Sequence, residues 1–392
     1  MKLSNRVLQM EESVTLAANA RAKELMAQGK DILSLTLGEP DFPTPENIRQ
    51  AAIEAIRDGK ASFYTVTSGL PELKAAIVNY FANYYGYGIE SNQVLVATGA
   101  KFCLYSFFMS VIDPGDEVLI PTPYWVSYAD QIKMAEGRPV FVEGKEENQF
   151  KVTVDQLEAA RTAKTKVLVL NTPSNPTGMI YTAEELLAIG NWAVAQDILI
   201  LADDIYGRLV YNGHEFTPIS SLSEAIRKQT LVINGVSKTY SMTGWRIGYA
   251  VGEPELIQAM SKVAGQTTSN PTTAAQYAAI EALTGSQEPF ETMRQAFEER
   301  LNTIYPLLAE VPGFEVVKPQ GAFYLFPNVE KAMAIKGYTD VTAFTQAILE
   351  EVGLALVTGA GFGAPKNVRL SYATDMASLK EAIKRLQKFM KD

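Results

Sequence analysis

The sequence predicts an α/β protein, with a large domain built on a mostly parallel seven-stranded sheet between helices and a smaller α+β domain. Seven short apolar runs alternate with helical stretches between residues 94 and 251. The runs are apolar throughout, as in strands that are buried on both faces of a parallel sheet. After about residue 285 the pattern changes to a long charged helix followed by short strands. A chain of 392 residues has room for two or three domains.

The elements before the sheet are short. Residues 12–30 have a helical composition that ends at Gly29, and a strand over 32–37 stops at the turn that starts with Gly38. Helical patterns then cover 46–58 and 70–85. The seven predicted strands of the sheet are 94–98, 117–120, 139–142, 166–171, 198–203, 230–234 and 247–251.

The C-terminal part combines helices with short strands. We predict helices over 288–310, 340–352 and near the C-terminus, and strands at 314–319 (FEVVKP), 322–327 (AFYLFP), 354–358 and 368–373. We therefore expect three parts: residues 1–45 form an N-terminal arm and part of the small domain, 46–285 the large domain, and 286–392 the small C-terminal domain.

Composition excludes several classes of protein. The net charge of −9 and the lack of a basic run argue against a nucleic-acid partner. With one cysteine (Cys103) and one histidine (His214), an internal disulfide framework, a zinc site and a serine–histidine triad are not expected. No apolar run reaches 18 residues and the N-terminus lacks a signal-peptide core, so we expect a cytoplasmic protein with no membrane partner.

Polar side chains follow three of the predicted strands. Asn175 lies in the loop after 166–171, Asp203 and Tyr206 end and follow 198–203, and Lys238 follows 230–234. Ligands of open α/β sheets bind beyond the carboxyl ends of the strands, so these side chains are expected to share one crevice. A lysine there, once desolvated, has a lowered pKa and can form a Schiff base. Alone, it would be taken as a surface-loop lysine.

A phosphate site is predicted at a fourth strand end. Gly99 and Ala100 open a helix whose N–H groups and dipole can hold a phosphate, and Ser237 and Arg246 would add hydrogen bonds. No Gly-Lys pair has the P-loop pattern, and the glycines at 359–363 lack the Rossmann spacing. Lysine, carboxylate, phenol, amide and phosphate site together suit pyridoxal 5'-phosphate, whose aldehyde needs the amine and whose ring nitrogen needs a carboxylate.

Three motifs resemble those of one enzyme family. SNPTG (174–178), D-x-I-Y (203–206) and SKTYSMTGWRIGY (237–249) resemble the signatures of the class I aminotransferases, the fold-type I pyridoxal-phosphate enzymes. The similarity extends from LGEPDF (37–42) to VRLSYA (368–373). The resemblance implies the fold of those transferases, with 46–285 as the cofactor-binding domain, and a homodimer with active sites at the subunit interface.

The resemblance also implies roles in cofactor binding. Lys238 is expected to hold the cofactor and shuttle the proton, while Asp203 pairs with the pyridine nitrogen. Asn175 and Tyr206 are expected to bond the phenolate oxygen, and Trp125 to stack on the ring. The phosphate ligands implied are Gly99, Ala100, Ser237, Arg246 and, from the other subunit, Tyr64.

The implied substrate contacts form a second group. Arg369 is expected to clamp the α-carboxylate and Gly38 to contact the substrate through its backbone. The remaining substrate contacts implied are those of Trp125, Asn175, Lys101 and Phe323.

Within the family the chain is most similar to bacterial aspartate aminotransferases that carry Gly-Gly-Lys at the phosphate helix. Here the triplet is Gly99-Ala100-Lys101, and the lysine is expected to meet the distal carboxylate of an acidic substrate. Ala100 in place of the second glycine, Glu-Glu-Ser-Val at 11–14 and Ser-Phe at 62–63 depart from the family pattern. The expected reaction is aspartate plus 2-oxoglutarate to oxaloacetate plus glutamate, by a ping-pong mechanism.

Other functions stay open at this point. An aromatic amino acid aminotransferase or a C–S lyase would use the same scaffold, because a fold does not fix a reaction. A pyridoxal-phosphate-binding regulator would carry a DNA-binding module, and the sequence has no basic helical segment. An interaction protein without cofactor would be colourless on purification.

Overall fold

A seven-stranded sheet is the largest sheet of the structure, a computed structural model that describes residues 2–8, 10 and 14–391. The strands of the chain are β1 (Leu33–Ser34), β2 (Val94–Ala97), β3 (Glu117–Thr122), β4 (Arg138–Glu143), β5 (Thr165–Asn171), β6 (Leu199–Asp203), β7 (Thr230–Gly235), β8 (Gly248–Val251), β9 (Tyr324–Leu325), β10 (Leu354–Ala355), β11 (Val357–Thr358) and β12 (Val368–Ser371). The seven predicted strands between residues 94 and 251 are all confirmed, as β2 to β8.

Helices surround these strands. They are α1 (Asn5–Leu8), α2 (Val14–Ala27), α3 (Glu46–Arg57), α4 (Pro71–Tyr80), α5 (Ala100–Val111), α6 (Ser127–Met134), α7 (Val154–Ala160), α8 (Ala183–Ala195), α9 (Glu224–Lys228), α10 (Pro254–Gly265), α11 (Thr273–Thr284), α12 (Glu288–Ala309), α13 (Glu330–Lys336), α14 (Val341–Val352) and α15 (Met376–Lys391). Of the predicted helix over 12–30, residues 12 and 13 lie outside the described part of the chain. The predicted helix over 70–85 changes after Tyr80 into a π-helical turn, Phe81–Tyr85.

The strand order of the large sheet is β2-β8-β7-β6-β5-β3-β4. All neighbouring strands are parallel except β8, which runs antiparallel to β2 and to β7. Successive residues of a strand face opposite cores: Val118 packs with α5, α6 and α10, whereas Leu119 packs with α7, α8 and α9. Burial on both faces explains why these strands are apolar throughout, and the predicted α/β fold is confirmed.

Two small sheets lie outside the large one. β1 pairs in parallel with β10, and β11, β12 and β9 form an antiparallel sheet. The predicted strand over 314–319 is wrong, since this partly exposed segment makes only an isolated bridge between Glu315 and Asn328. The predicted strand over 354–358 is divided between β10 and β11, which pair with different sheets. The division of the chain at residues 45 and 285 stays a prediction.

Neither a membrane-spanning helix nor a metal-binding cluster occurs among the described residues. Within 2–8, 10 and 14–391, no helix is both long and apolar enough to cross a membrane. The same residues contain no cluster of three or more histidine, cysteine, aspartate or glutamate side chains suited to a metal ion.

Candidate active site

A cavity of about 310 Å³ opens at the carboxyl ends of β5, β6 and β7. Eleven of the fourteen predicted site residues line it: Gly38, Ala100, Lys101, Trp125, Asn175, Asp203, Tyr206, Ser237, Lys238, Arg246 and Arg369. The other lining residues are Leu16, Ser127, Tyr128, Asn171, Ile205, Thr243 and Tyr324. The strand-end argument therefore located the cavity correctly, because parallel strands bring their carboxyl ends to one edge of the sheet.

Lys238 projects into this cavity from the loop after β7. Its ammonium donates a hydrogen bond to the backbone carbonyl of Gly38. The pKa of Lys238 is lowered to about 8, mainly by burial and also by the charges of Arg369 and Arg246, whereas the charges of Glu39 and Asp203 oppose the shift. An amine with this pKa is partly neutral near physiological pH and can act as a nucleophile or as a base.

Asp203 ends β6 next to Asn171 of β5, to which it is paired in register. Its side chain is 3% exposed and accepts hydrogen bonds from the Tyr128 hydroxyl (2.6 Å) and the Ile205 N–H (3.3 Å). Burial raises the pKa of Asp203 to about 6, while the Tyr128 hydrogen bond, the Ile205 N–H and the Lys238 charge act against this shift. The carboxylate is therefore largely ionised at neutral pH in a dry environment.

The predicted phosphate site has the geometry of an anion cradle. Helix α5 begins directly after β2, and the first N–H groups of a helix have no intrahelical acceptor. Gly99 has a φ of 84°, and a Cβ at this position would collide with the guanidinium of Arg246. A Cβ on Gly248 of β8 would likewise collide with the backbone nitrogen of Ala100. Both glycines thus allow Arg246 and the start of α5 to approach each other closely.

Arg369 enters the cavity from β12 and is 1% exposed. Its Nη1 donates to Oδ1 of Asn175 (3.0 Å), and its Nη2 donates to the carbonyl of Thr36 (2.7 Å). Its Nε is buried and has no hydrogen-bond partner within the described residues. A buried cation with an unsatisfied donor is suited to receive a carboxylate of a ligand.

Lys101 stands in the first turn of α5 and points toward Trp125. Its Nζ lies 4.8 Å from the centroid of the Trp125 ring, a cation–π distance. Burial lowers the pKa of Lys101, and the neighbouring charge of Arg246 lowers it further. Within the described residues Lys101 forms no ion pair with a carboxylate.

Three predicted site residues do not line the cavity. Gly99 lies at its edge, against Arg246. Phe323 is completely buried and lies outside the cavity lining. Its ring packs edge-on against Tyr206, with ring centroids 5.5 Å apart. Adjacent side chains of an extended segment point to opposite sides, and it is the next residue, Tyr324, that reaches the cavity and shares a 2.8 Å hydrogen bond with Tyr206.

Tyr64 lies outside the cavity, and its side chain is 92% exposed. The neighbouring Phe63 and Val66 are also exposed. The segment is attached to α11 through the hydroxyl of Thr273, which donates to the carbonyl of Phe63 (3.0 Å). Tyr64 therefore does not reach the cavity of its own chain, and its expected role at the phosphate stays a prediction.

Several cavity residues were not predicted from the sequence. Tyr128 lies in the first turn of α6, three positions after Trp125. This nearness to a predicted site residue was a weak signal, and it does not separate Tyr128 from an ordinary core tyrosine. Leu16 and Asn171 carried no comparable signal, because neither residue type indicates a chemical role in its sequence context.

These residues fit pyridoxal phosphate. The cavity combines a desolvated amine, a buried carboxylate, an aromatic face at Trp125, and a helix N-terminus beside a guanidinium. The absence of a Cβ at Gly99 keeps that last position open. Each group matches one chemical feature of the cofactor: its aldehyde, its ring nitrogen, its ring face and its phosphate.

Comparison with known proteins gives concordant results. Residues 30–386 match the family model described as aminotransferase class I and II. The chain is 73% identical to an asparagine--oxo-acid transaminase of Streptococcus mutans, with 99% of each chain covered. It is 54% identical to an aspartate aminotransferase of Geobacillus stearothermophilus, over 100% of this chain and 99% of that one.

Solved structures resemble the whole chain as well. The aspartate aminotransferase of Thermus thermophilus with maleate superimposes with a TM-score of 0.94 at 39% identity, covering 99% of this chain and 100% of that one. The aspartate aminotransferase of Rhizobium meliloti gives a TM-score of 0.95 at 38% identity, over 100% of this chain and 99% of that one.

Proposed function

Since the chain belongs to the class I and II aminotransferases and therefore uses pyridoxal phosphate, we propose that it transfers the amino group of aspartate to 2-oxoglutarate in two half-reactions. The observation that carries this proposal is the pair of cations, Lys101 and Arg369, in one cavity without a carboxylate partner among the described residues. Two separated cations suit a substrate with two carboxylates, and aspartate, glutamate and their oxo acids all have two.

The residues of the cavity support a separate chemical role for each functional group. Pyridoxal phosphate, when bound, supplies an electron sink for the pair released at the amino acid Cα. Lys238 would hold the cofactor through Nζ and, when displaced by the substrate amine, take and return the Cα proton. Asp203 would hold the proton on the ring nitrogen, and the Arg369 guanidinium would fix the α-carboxylate.

The relatives support an acidic substrate and add a second candidate. Three of the proteins compared above are named aspartate aminotransferases, and the structure of one of them contains maleate, a dicarboxylate. The 73% identical Streptococcus relative is named for asparagine, which favours asparagine as an alternative amino donor. The side chain of asparagine offers Lys101 an amide oxygen, so it would form a hydrogen bond without the charge pairing that aspartate provides.

The proposed assembly is a homodimer with shared active sites. The exposed apolar side chains at Phe63 (75%), Tyr64 (92%) and Val66 (61%) support a protein partner at this segment. A second copy of the chain would bury them and bring Tyr64 to the phosphate. A cytoplasmic location stays a prediction.

A single-turnover screen tests the proposed substrate. The purified protein with its cofactor is mixed with each amino acid in turn, without an oxo acid, and the loss of the visible cofactor absorption is followed. Aspartate and glutamate should react fastest, with asparagine next. Faster reaction with phenylalanine or tyrosine would support the aromatic aminotransferase, and pyruvate release from a thioether would support the C–S lyase.

A further inference from the structure

Tyr128 contacts both protein groups that are expected to hold the cofactor ring. Its hydroxyl lies 2.6 Å from Oδ2 of Asp203. Its ring packs edge-on against Trp125, with centroids 5.4 Å apart and an interplanar angle of 87°. The side chain is 2% exposed and also belongs to the apolar core between the sheet and α5. Tyr128 therefore connects the Asp203 carboxylate to the Trp125 indole.

The Tyr128 hydroxyl can act as a permanent donor. Burial raises the pKa of Tyr128 well above its ordinary value, and the nearby charge of Asp203 raises it further. The phenol is thus protonated at neutral pH and can donate its hydrogen to Asp203. A hydrogen bond donated to a carboxylate favours the ionised form, so Tyr128 opposes the effect of burial on Asp203.

Few other titratable groups near Asp203 could stabilise its ionised carboxylate. The other titratable groups that act on Asp203 are Cys103 on α5, Asp204 and Tyr206 after β6, and Lys238 after β7. Among them only the cation Lys238 favours the carboxylate, and it also has to react with the cofactor. Asp204 would oppose ionisation if it were itself charged, but burial raises its pKa to about 8.

We propose that Tyr128 is a positioning residue, which holds the Asp203 carboxylate ionised and in one orientation toward the cofactor ring. A buried tyrosine needs some partner for its hydroxyl, so a purely structural role is the competing explanation. The inference rests on the proposed pairing of Asp203 with the ring nitrogen. The test must therefore distinguish failure of the hypothesis that Asp203 pairs with the ring nitrogen from failure of the hypothesis that Tyr128 positions Asp203.

The test measures binding of pyridoxamine 5'-phosphate to the cofactor-free full-length protein between pH 5.5 and 9. This amine form presents the same ring and phosphate but forms no covalent bond with Lys238, so binding reports the ring contacts. Tyr128→Phe is compared with Tyr181→Phe. Tyr181 is also buried and lines the same small cavity beneath the site as Tyr128, but its hydroxyl accepts a hydrogen bond from the Val152 N–H instead of contacting Asp203.

Tyr128→Phe should weaken binding by about 10- to 100-fold near pH 6 to 7, the range expected for a lost hydrogen bond to a charged group. Without the donor the Asp203 pKa rises, so the loss should shrink as the pH rises toward 9 and the carboxylate ionises. Tyr181→Phe should show no such pH-dependent loss. In an Asp203→Asn background, Tyr128→Phe should add little, since the group it acts on is gone.

Two outcomes separate the two hypotheses. If Asp203→Asn alone leaves binding and its pH dependence unchanged, the ring-nitrogen pairing fails, and the role of Tyr128 fails with it. If Asp203→Asn changes them and Tyr128→Phe behaves like Tyr181→Phe, only the role of Tyr128 is refuted. Should Tyr128→Phe not fold, a fluorinated tyrosine at position 128 keeps the shape, and its stronger donor should shift the binding midpoint to lower pH; an unchanged midpoint would refute the role.

Discussion

Nζ of Lys101 lies 4.8 Å above the ring of Trp125, the residue expected to stack on the cofactor. A cation held there lines the cavity and has no carboxylate of its own to pair with in the described structure. We expect Lys101→Ser to lower kcat/KM for aspartate and glutamate by about 10- to 150-fold, the equivalent of a charged hydrogen bond of about 1.5–3 kcal/mol. Alanine and phenylalanine, which lack a distal carboxylate, should be little affected.

Asparagine and a surface lysine provide the controls. The loss for asparagine should be smaller than for aspartate, because its amide forms only a neutral-acceptor hydrogen bond. Lys133→Ser changes a lysine of α6 that pairs with Asp130 instead of lining the cavity, so it should leave all substrates unaffected. An equal loss for every substrate would indicate that Lys101 binds the phosphate.

The covalent link at Lys238 gives a chemical prediction. The purified protein should absorb visible light, and borohydride should join the reduced cofactor irreversibly to Lys238. The reason is that Lys238 follows β7 in the cavity, where the charge of Asp203 acts on its amine. Peptide mapping by mass spectrometry identifies the labelled lysine; recovery of the label on Lys101 or any other lysine would contradict the assignment.

The lowered pKa of Lys238 predicts how cofactor uptake depends on pH. Only the neutral amine attacks an aldehyde, and burial lowers the pKa of Lys238 to about 8. The rate at which cofactor-free protein takes up pyridoxal phosphate should therefore rise about tenfold per pH unit below pH 8 and level off above it. An ordinary lysine, with a pKa of about 10.4, would give a rate that rises through pH 10. Stopped-flow absorbance measures this profile, with Lys238→Ala as the blank.

Asp203 is expected to control the chemical step as well as the noncovalent binding of the cofactor ring. Asp203→Asn should still hold pyridoxal phosphate through the link to Lys238 and the phosphate site, but it should slow Cα deprotonation by several orders of magnitude, at least as much as the removal of other electrostatic stabilisers. The Cα hydrogen isotope effect on a single turnover measures the step directly. Asp204→Asn is the matched control. Asp204 is the next residue and is also buried, but it accepts a hydrogen bond from the Tyr85 hydroxyl (2.9 Å) and does not line the cavity. Near-normal turnover of Asp203→Asn would rule out the pyridinium role.

A shared active site predicts complementation between two defective subunits. Dimers that combine one Lys238→Ala chain with one Tyr64→Phe chain should contain one intact site, built from Lys238 of the second chain and Tyr64 of the first. Such dimers, purified through two different tags, should have about half the activity of the wild-type dimer. Activity no higher than in the two parent dimers would place Tyr64 outside the partner's site.

The strands of the large sheet could be predicted because burial on both faces leaves an apolar run with no alternation. The same argument failed at 314–319, where an apolar sequence has no neighbouring strand and forms one bridge at Glu315. Strand lengths outside the large sheet were also overestimated: of the predicted strand over 32–37 only Leu33–Ser34 pairs, since its partner β10 offers just two residues. Pairing depends on a neighbour, and a single segment of sequence does not reveal its neighbour.

The candidate site was predictable where chemistry alone identifies a residue. Lys238, Asp203 and Arg369 are rare types for a buried site, and all three line the cavity. Tyr128 was missed because a tyrosine in a helix usually indicates core packing, and only the distance to Asp203 distinguishes it. Phe323 was expected to line the cavity, but Tyr324 does so, since both are aromatic and only the direction of the backbone decides which one reaches the cavity.

The pairing of β1 with β10 has a consequence for synthesis on the ribosome. About 320 residues separate Ser34 from Leu354. Because synthesis adds about 5–20 residues per second, β10 is made roughly 16–64 s after β1, and β1 cannot pair before then. β2 has a similar, shorter delay, because its only neighbour in the large sheet is β8. The nascent chain thus carries unpaired strand edges within its first hundred residues until β8 and β10 have been synthesised, and such edges are prone to aggregation.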